Sequence, residues 1–356
     1  MKITHRMPIA ALGVMILGLT ACSTTNDETN TGPITATSGE CTVEDAPLRV
    51  YTNAWGPDMT DKFTEDTGIE VELADLGGGE ILARIAAEQN NPQWDVVLID
   101  GHGSVQAMNQ QGQLLTDYQL ENFDNLTAEA QELAPDNNAW IPISKHAAGV
   151  LAYNTEHIDD ADAPTSWNDL TDTKYAPVGI ADPAVAAPAY PIISQIFSDM
   201  GEQTAQEYFT TLIDNGLNTY EKNGPVGQAL ASGEIKTAML QEHNVYELMD
   251  EGENVDFIWP SEGAPAAVRT AAISADTPST CASLTFVDWL LTTDTMDYLM
   301  EHGGTDSIIS PFVDQTTTAF LPEARPEDPE ILYPSANDAA NKEAEIKDWF
   351  ANASVE

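Results

Sequence analysis

Basic residues are scarce: the 356-residue chain carries 13 Lys and Arg against 58 Asp and Glu, a formal net charge of −45. Nucleic-acid phosphates are gripped by clustered Lys and Arg, so this composition excludes a nucleic-acid-binding role. Long apolar runs are missing beyond the N-terminal region, where no stretch approaches the roughly 18 consecutive apolar residues of a transmembrane helix. Catalytic signatures are missing too. There is no Gly-x-Ser-x-Gly elbow and no His-Glu-x-x-His helix, and Gly77-Gly78-Gly79 lacks the Lys-Ser/Thr ending of a phosphate-cleaving loop. The expectation is therefore a protein that is not an enzyme and has no cofactor. A secreted hydrolase is the remote alternative.

Apolar residues make up 42 % of the chain, an ordinary globular share. The charge thus belongs on a surface and does not mark a disordered chain. Because the acids are scattered along the whole sequence, they read as a surface suited to high salt more than as a trap for cations. At about 1 M salt the screening length is only about 3 Å, so the local site, not the net charge, selects a ligand.

The first 21 residues read as a targeting segment. Lys2 and Arg6 precede an apolar stretch over residues 8–19, which is too short to span a bilayer. Leu19-Thr20-Ala21-Cys22 resembles the bacterial lipobox, which implies that Cys22 becomes a lipidated N-terminus anchored in the cell membrane. A polar tether is expected over residues 22–45. Cys41 and Cys281 then remain, a pair that an oxidising extracytoplasmic compartment permits to form a disulfide or to stay as two thiols.

From Leu48 onward short apolar runs alternate with helical periodicity. Strands are expected at residues 48–52, 71–73 and 96–99, with helices from Pro57 to Thr67, around Ile81–Ala86 and over 104–111. Pro57 suits a first helical turn and Gly68 a helix end. A second series starts near Trp140. Strands at 141–144, 149–153, 178–180, 217–220, 237–240, 257–259 and 268–273 are interleaved with helices over 190–200, 204–215, 244–251, 279–291 and 294–302. A Pro- and acid-rich stretch, 322–334, precedes a last helix over 339–350. The succession predicts an α/β fold.

Certain segments carry a resemblance. They are Arg49-Val50-Tyr51-Thr52, Phe63-Thr64-Glu65-Asp66-Thr67-Gly68, Leu82-Ala83-Arg84-Ile85-Ala86-Ala87-Glu88 and Asn91-Pro92-Gln93-Trp94-Asp95-Val96, followed by Tyr153-Asn154, Pro164-Thr165-Ser166-Trp167-Asn168-Asp169-Leu170, Ala231-Ser232-Gly233-Glu234 and Trp259-Pro260-Ser261-Glu262-Gly263. Their order is similar to that of the ABC-importer binding proteins for ferric iron, with relatives for phosphonates, polyamines and thiamine. The likeness covers residues 48 to about 310. It implies a two-lobed periplasmic-binding-protein type II fold with two hinge crossings, near 149–154 and 268–273. Lobe 1 would comprise residues 46–151 and 268–320, lobe 2 residues 152–267, and a C-terminal segment residues 321–356. A monomer is implied, holding a small solute between the lobes for a membrane permease and its separate ATPase.

In open α/β sheets ligands sit beyond the carboxyl ends of strands, here at residues 53–56, 77–80, 100–103, 182–190 and 241–244. Gly78 and Gly79 expose backbone N–H groups suited to an anionic or carbonyl-bearing solute. Asn53, Trp55 and Tyr190 offer polar and aromatic contact, and Trp55 and Tyr246 suit an organic solute or its cationic head. Glu242, His243 and Asn244 stand at another strand end, and Arg269 suits a phosphate or carboxylate. Asp100, His102 and His243 are the metal candidates, with Glu242 a further possible ligand. By the resemblance Asp100 matches an acidic iron ligand. Trp55, however, stands where a histidine is expected, and His243-Asn244 where adjacent tyrosines are expected. Iron held by phenolates is therefore not expected, and a metal or ferric chelate is the alternative to an organic solute.

Overall fold

A computed structural model describes residues 43, 44, 46–187 and 189–354. The expected signal segment, Cys22 and Cys41 lie outside the described residues. The chain opens with β1 (Leu48–Thr52), α1 (Gly56–Thr67), β2 (Val71–Asp75), α2 (Gly78–Ala87), β3 (Val96–Asp100) and α3 (His102–Gln110). Helix α1 has Pro57 in its first turn and is capped by Gly68, whose left-handed φ of 77° lets its N–H reach Thr64 O at 2.9 Å. A short helix α4 (Ala128–Leu133) leads to β4 (Trp140–Ala147).

The chain then enters a second sheet through β5 (Val150–Asn154), β6 (Val178–Ala181), α5 (Ala189–Met200), α6 (Glu202–Asp214), β7 (Asn218–Tyr220), α7 (Asn223–Ala231), β8 (Thr237–Leu240), α8 (Glu242–Asp250) and β9 (Val255–Ile258). It returns as β10 (Ala264–Ile273), followed by α9 (Thr280–Leu290), α10 (Thr293–His302), β11 (Ser310–Pro311), β12 (Ile331–Leu332) and α11 (Ala336–Ala353).

One sheet has the order β11-β4-β10-β3-β1-β2, with β12 beside β10, and the other the order β7-β6-β8-β5-β9. Each sheet with its helices is one lobe. Strand β3 shows why the first sheet is buried on both faces. Its side chains alternate, so Val96 and Leu98 join the cluster around Met59, Phe63 and Phe286, while Val97 and Ile99 join Ile81, Ile85, Trp94 and Trp140. Cys281, on α9, is disulfide-bonded.

The lobes are joined at residues 148–149 and 259–263. Val150 and Leu151 pair with Leu240 and Met239 in the second sheet, and Ala266 and Ala267 pair with Ala147 and His146 in the first. The first joint meets the expected crossing, 149–154, at Gly149, whereas the second precedes the expected one, 268–273, which lies inside β10. The first boundary is flanked by Ala147-Ala148 and Val150-Leu151, and apolarity does not say which sheet a residue joins; the second falls in Trp259-Pro260-Ser261-Glu262-Gly263, ahead of β10. Helix α11 lies against α3 of the first lobe and α5 of the second. Its buried residues Ala339, Ile346 and Phe350 form one stripe. Trp349 and Phe350 pack on Phe209, and Trp349 also on Phe197.

Candidate functional site

The first lobe contributes a compact polar group at the ends of β1 and β3, beside the middle of β10. Arg269 is 1 % exposed; its Nε donates to Asp100 Oδ1 at 3.0 Å and its Nη1 to the carbonyl of Asp306 at 2.9 Å. Asn53 closes the group, donating to Asp100 Oδ2 at 3.1 Å and accepting from the Asp100 N–H at 3.2 Å. The guanidinium carbon of Arg269 lies 4.4 Å from the Trp55 ring centre, a cation–π distance. Trp55 itself is held at a left-handed φ of 58°, rare for a bulky residue. Asp306 Oδ2 accepts its N–H at 3.0 Å and Ser307 Oγ accepts its Nε1–H at 3.2 Å. Burial opposes ionisation of Asp100, but Arg269, with His146, outweighs it and holds the carboxyl below its ordinary value.

Arg269 is aimed by an irregularity in the neighbouring strand. It pairs with Ser144, whereas Thr270 pairs with Pro142, so Ile143 is an extra residue in β4. Pro142 has no N–H to give the ladder, which explains why the bulge sits there.

The second lobe answers with the first turns of α7 and α8. Asn223 donates through Nδ2 to Gln241 Oε1, and Gln241 Nε2 contacts His146 Nε2 at 2.9 Å. With the amide donating, His146 Nε2 accepts and the ring proton sits on Nδ1, a fully buried atom without a partner. Burial pushes the His146 imidazole down to about 3 against the pull of Asp100. Its ring meets that of His243 edge-on at 5.3 Å, and burial lowers His243 too. Ser144 Oγ, Asn223 Oδ1, Asn244 Oδ1 and Tyr246 OH are further buried atoms without a partner. Buried polar groups are normally satisfied, so unpaired donors and acceptors drawn from both lobes mark a place for a polar guest.

The lobes also touch directly. A Cβ on Gly79 would lie 1.8 Å from Val185 O, and one on Gly78 would lie 2.6 Å from Ala187 Cβ, so α2 meets the 182–187 loop only because both residues lack side chains. Glu80 and Lys222 pair across the same seam at 3.6 Å.

Of the residues singled out from sequence, Asn53, Trp55, Asp100 and Arg269 come together, His243 faces them across the cleft through His146, and Gly78 and Gly79 form the seam. Glu242 turns away toward Arg325, and Asn244 stays in the first turn of α8. His102 and Tyr190 are placed elsewhere. His102 Nε2 contacts Pro334 O at 3.0 Å, and the Tyr190 hydroxyl donates to Ala339 O. Both face the C-terminal segment, so His102 does not join Asp100 and His243. Among the described residues no three His, Cys, Asp or Glu side chains gather as a metal site.

Sequence reasoning missed His146, Asp306 and Arg325 as site residues. A signal existed for the first, since Ser144 and His146 are polar residues two apart, on one face of the strand, beyond the apolar start Trp140–Ile143. Asp306 sits in a Gly-Gly turn with no such mark. Arg325 is the only Lys or Arg between Arg269 and Lys342.

The fold has close counterparts. The periplasmic binding protein AfuA from Actinobacillus pleuropneumoniae, solved with fructose 6-phosphate bound, superposes with a TM-score of 0.77 at 20 % identity, over 88 % of this chain and 99 % of that one. Iron-bound HitA from Pseudomonas aeruginosa gives 0.73 at 22 % identity, over 86 % and 99 %. The architecture is thus the two-lobed type II periplasmic-binding-protein fold, as the sequence resemblance implied. A protein of Salmonella typhimurium described as a putative 2-aminoethylphosphonate-binding periplasmic protein is 30 % identical over 212 residues, 59 % of either chain. The profile of the bacterial extracellular solute-binding proteins matches residues 58–323, three quarters of the sequence, and the chain belongs to that family.

Proposed function

We propose that this chain is the solute-binding component of an ABC-type importer, tethered outside the cell membrane through Cys22, that encloses a small polar organic solute between its lobes. The observation that carries the reading is the convergence of Asp100, Arg269 and Trp55 from one lobe with Gln241, His243 and Asn223 from the other, around buried polar atoms lacking partners. A solute that bonds to both sides stabilises the closed form more than the open one, and that difference drives closure. Shifting a clamp from mostly open to mostly closed takes about 5.5 kcal/mol of differential binding. A few charge-assisted hydrogen bonds and an aromatic contact supply this.

The N-terminus of α8, where the Gln241 side chain makes no hydrogen bond to the helix amides, favours an anionic group on the solute. The Salmonella typhimurium relative makes 2-aminoethylphosphonate the first candidate. A closed clamp would dock on a permease driven by a separate ATPase, and the protein would act as a monomer with no catalytic step. The domain plan goes with this reading: residues 1–21 as signal segment, a tether to about 45, two lobes and a C-terminal segment from 321.

Calorimetry on the mature protein tests it, with 2-aminoethylphosphonate, fructose 6-phosphate and ferric citrate as titrants. A one-to-one isotherm with either organic solute supports the reading. Binding of ferric citrate alone would replace it with the metal-chelate alternative.

A further inference from the structure

Arg325 lies beyond the stretch matched by the family profile, which ends at residue 323. It comes from the Pro- and acid-rich segment Pro322-Glu323-Ala324-Arg325-Pro326-Glu327-Asp328, where a lone cation is out of keeping with its surroundings. Its side chain is nevertheless 2 % exposed, and so is buried against a carboxylate that is fully buried. Nε donates to Glu242 Oε2 at 2.7 Å, and Nη2 donates to Glu242 Oε1 at 3.2 Å and to Ser310 Oγ at 3.1 Å. Glu242 Oε1 also accepts the N–H of Ala147 at 2.8 Å.

These four bonds join distinct parts of the molecule. Glu242 is the first residue of α8, in the second lobe. Ala147 is the last residue of β4, directly before the first crossing, and Ser310 belongs to β11 in the first lobe. His146, one residue before Ala147, contacts Gln241, and Gln241 caps α8 with no side-chain hydrogen bond to the helix. The first turn of α8, which carries His243 and Asn244 into the cleft, is thus fastened to the hinge at Gln241 and Glu242.

We propose that Arg325 is a positioning residue for the solute site. It fixes the first turn of α8 against the hinge and draws the Glu242 carboxylate away from the helix amides that face the solute. A buried ion pair seldom adds stability over an apolar pair of similar volume. It does fix geometry, because the bidentate fork allows one arrangement of guanidinium and carboxylate. The Glu242 carboxylate would otherwise stand at its own helix N-terminus, where acids bind readily and where an anionic solute would have to compete with it. This inference rests on the reading of the interlobe cleft as the solute site.

The test is amide hydrogen exchange read peptide by peptide on the solute-free protein, with Arg325→Met, the milder Arg325→Lys, and Glu242→Gln, paired with calorimetry using 2-aminoethylphosphonate. In Arg325→Met, the peptides covering residues 241–250 and 144–150 should lose protection at least tenfold while those of β1 and β3 keep it, and affinity should fall at least tenfold. Arg325→Lys keeps the charge without the fork and should recover part of both. Glu242→Gln retains an acceptor for Ala147 N–H but loses the fork and leaves the Arg325 charge buried, so protection at 241–250 should fall as it does in Arg325→Met. Unchanged exchange at 241–250 in both Arg325 variants overturns the proposal, as does a loss spread evenly over all peptides, the mark of a purely structural role. Exchange needs no solute, so a wild type that fails to bind 2-aminoethylphosphonate counts against the solute reading alone.

Discussion

Arg269 stands against Trp55 and Asp100 at once: its guanidinium carbon is 4.4 Å from the Trp55 ring centre, and its Nε donates to Asp100 at 3.0 Å. Strand β10 carries this cation to the end of β3, next to the left-handed turn that presents Trp55. The pair therefore couples the two elements that border the cleft in the first lobe. Because Trp55 is 3 % exposed and belongs to the core cluster, it is a structural member as well as a candidate contact.

Removing the cation should be costly. Arg269→Met leaves Asp100 buried without a counter-charge, and breaking a buried pair in this way costs about 3–5 kcal/mol. Urea denaturation at pH 7 measures it. Arg269→Lys retains charge but loses the second bond, and should lose less stability while still weakening solute binding.

Acid should destabilise the protein through His146. Its folded value is pushed down to about 3, first by burial, whereas an unfolded histidine takes its proton near 6.5. Between those values the unfolded chain binds the additional proton, so stability falls as pH drops below about 6.5, at up to about 1.4 kcal/mol per pH unit. His146→Gln should flatten this slope, by about 2 kcal/mol between pH 6.5 and 5. Denaturation midpoints across that range check it. Asp100, held below its ordinary value, loses its contribution only at lower pH, as pH falls through its folded value. Glu242, raised by burial against the pull of Arg325 and Ala147, acts in the opposite direction: its protonation in the folded state favours folding as pH falls.

Gly79 should separate binding from folding. Each lobe keeps its own sheet and helices when α2 and the 182–187 loop move apart, so Gly79→Ala should leave both lobes folded. Its Cβ would nevertheless meet Val185 O at 1.8 Å, across the seam between lobes. Solute affinity should drop at least tenfold, and small-angle scattering should show less compaction on solute addition than in wild type. An unchanged affinity would show that the seam does not close around solute.

Cys22→Ser should abolish lipidation, read by mass spectrometry of the N-terminal peptide and by release of the protein from membranes. Cys281 is disulfide-bonded, and peptide mapping without reductant should find it joined to Cys41.

The α/β class, most strands and the first-lobe cluster were legible because they follow from periodicity and from the rule that ligands sit at strand ends. Asn53, Trp55 and Asp100 each stand just after or at the end of a strand, and that rule found them. His102 and Tyr190 satisfied the same rule, yet the structure turns them toward the C-terminal segment. Pattern places a residue at a strand end but does not say which later part of the chain covers that end. Pro334 and Ala339 lie 232 and 149 residues away from them. Arg325 was illegible for the same reason, since its meaning depends on a carboxylate 83 residues earlier. The two-residue strands β11 and β12 are too short to leave a period of two.

Hydrogen exchange at the cleft, with and without the solute that calorimetry selects, asks the central question most directly. Enclosure between the lobes predicts new protection in both at once, at residues 96–103 of the first and at 241–246 of the second. Protection confined to one lobe, or found only on the outer surface, would contradict it.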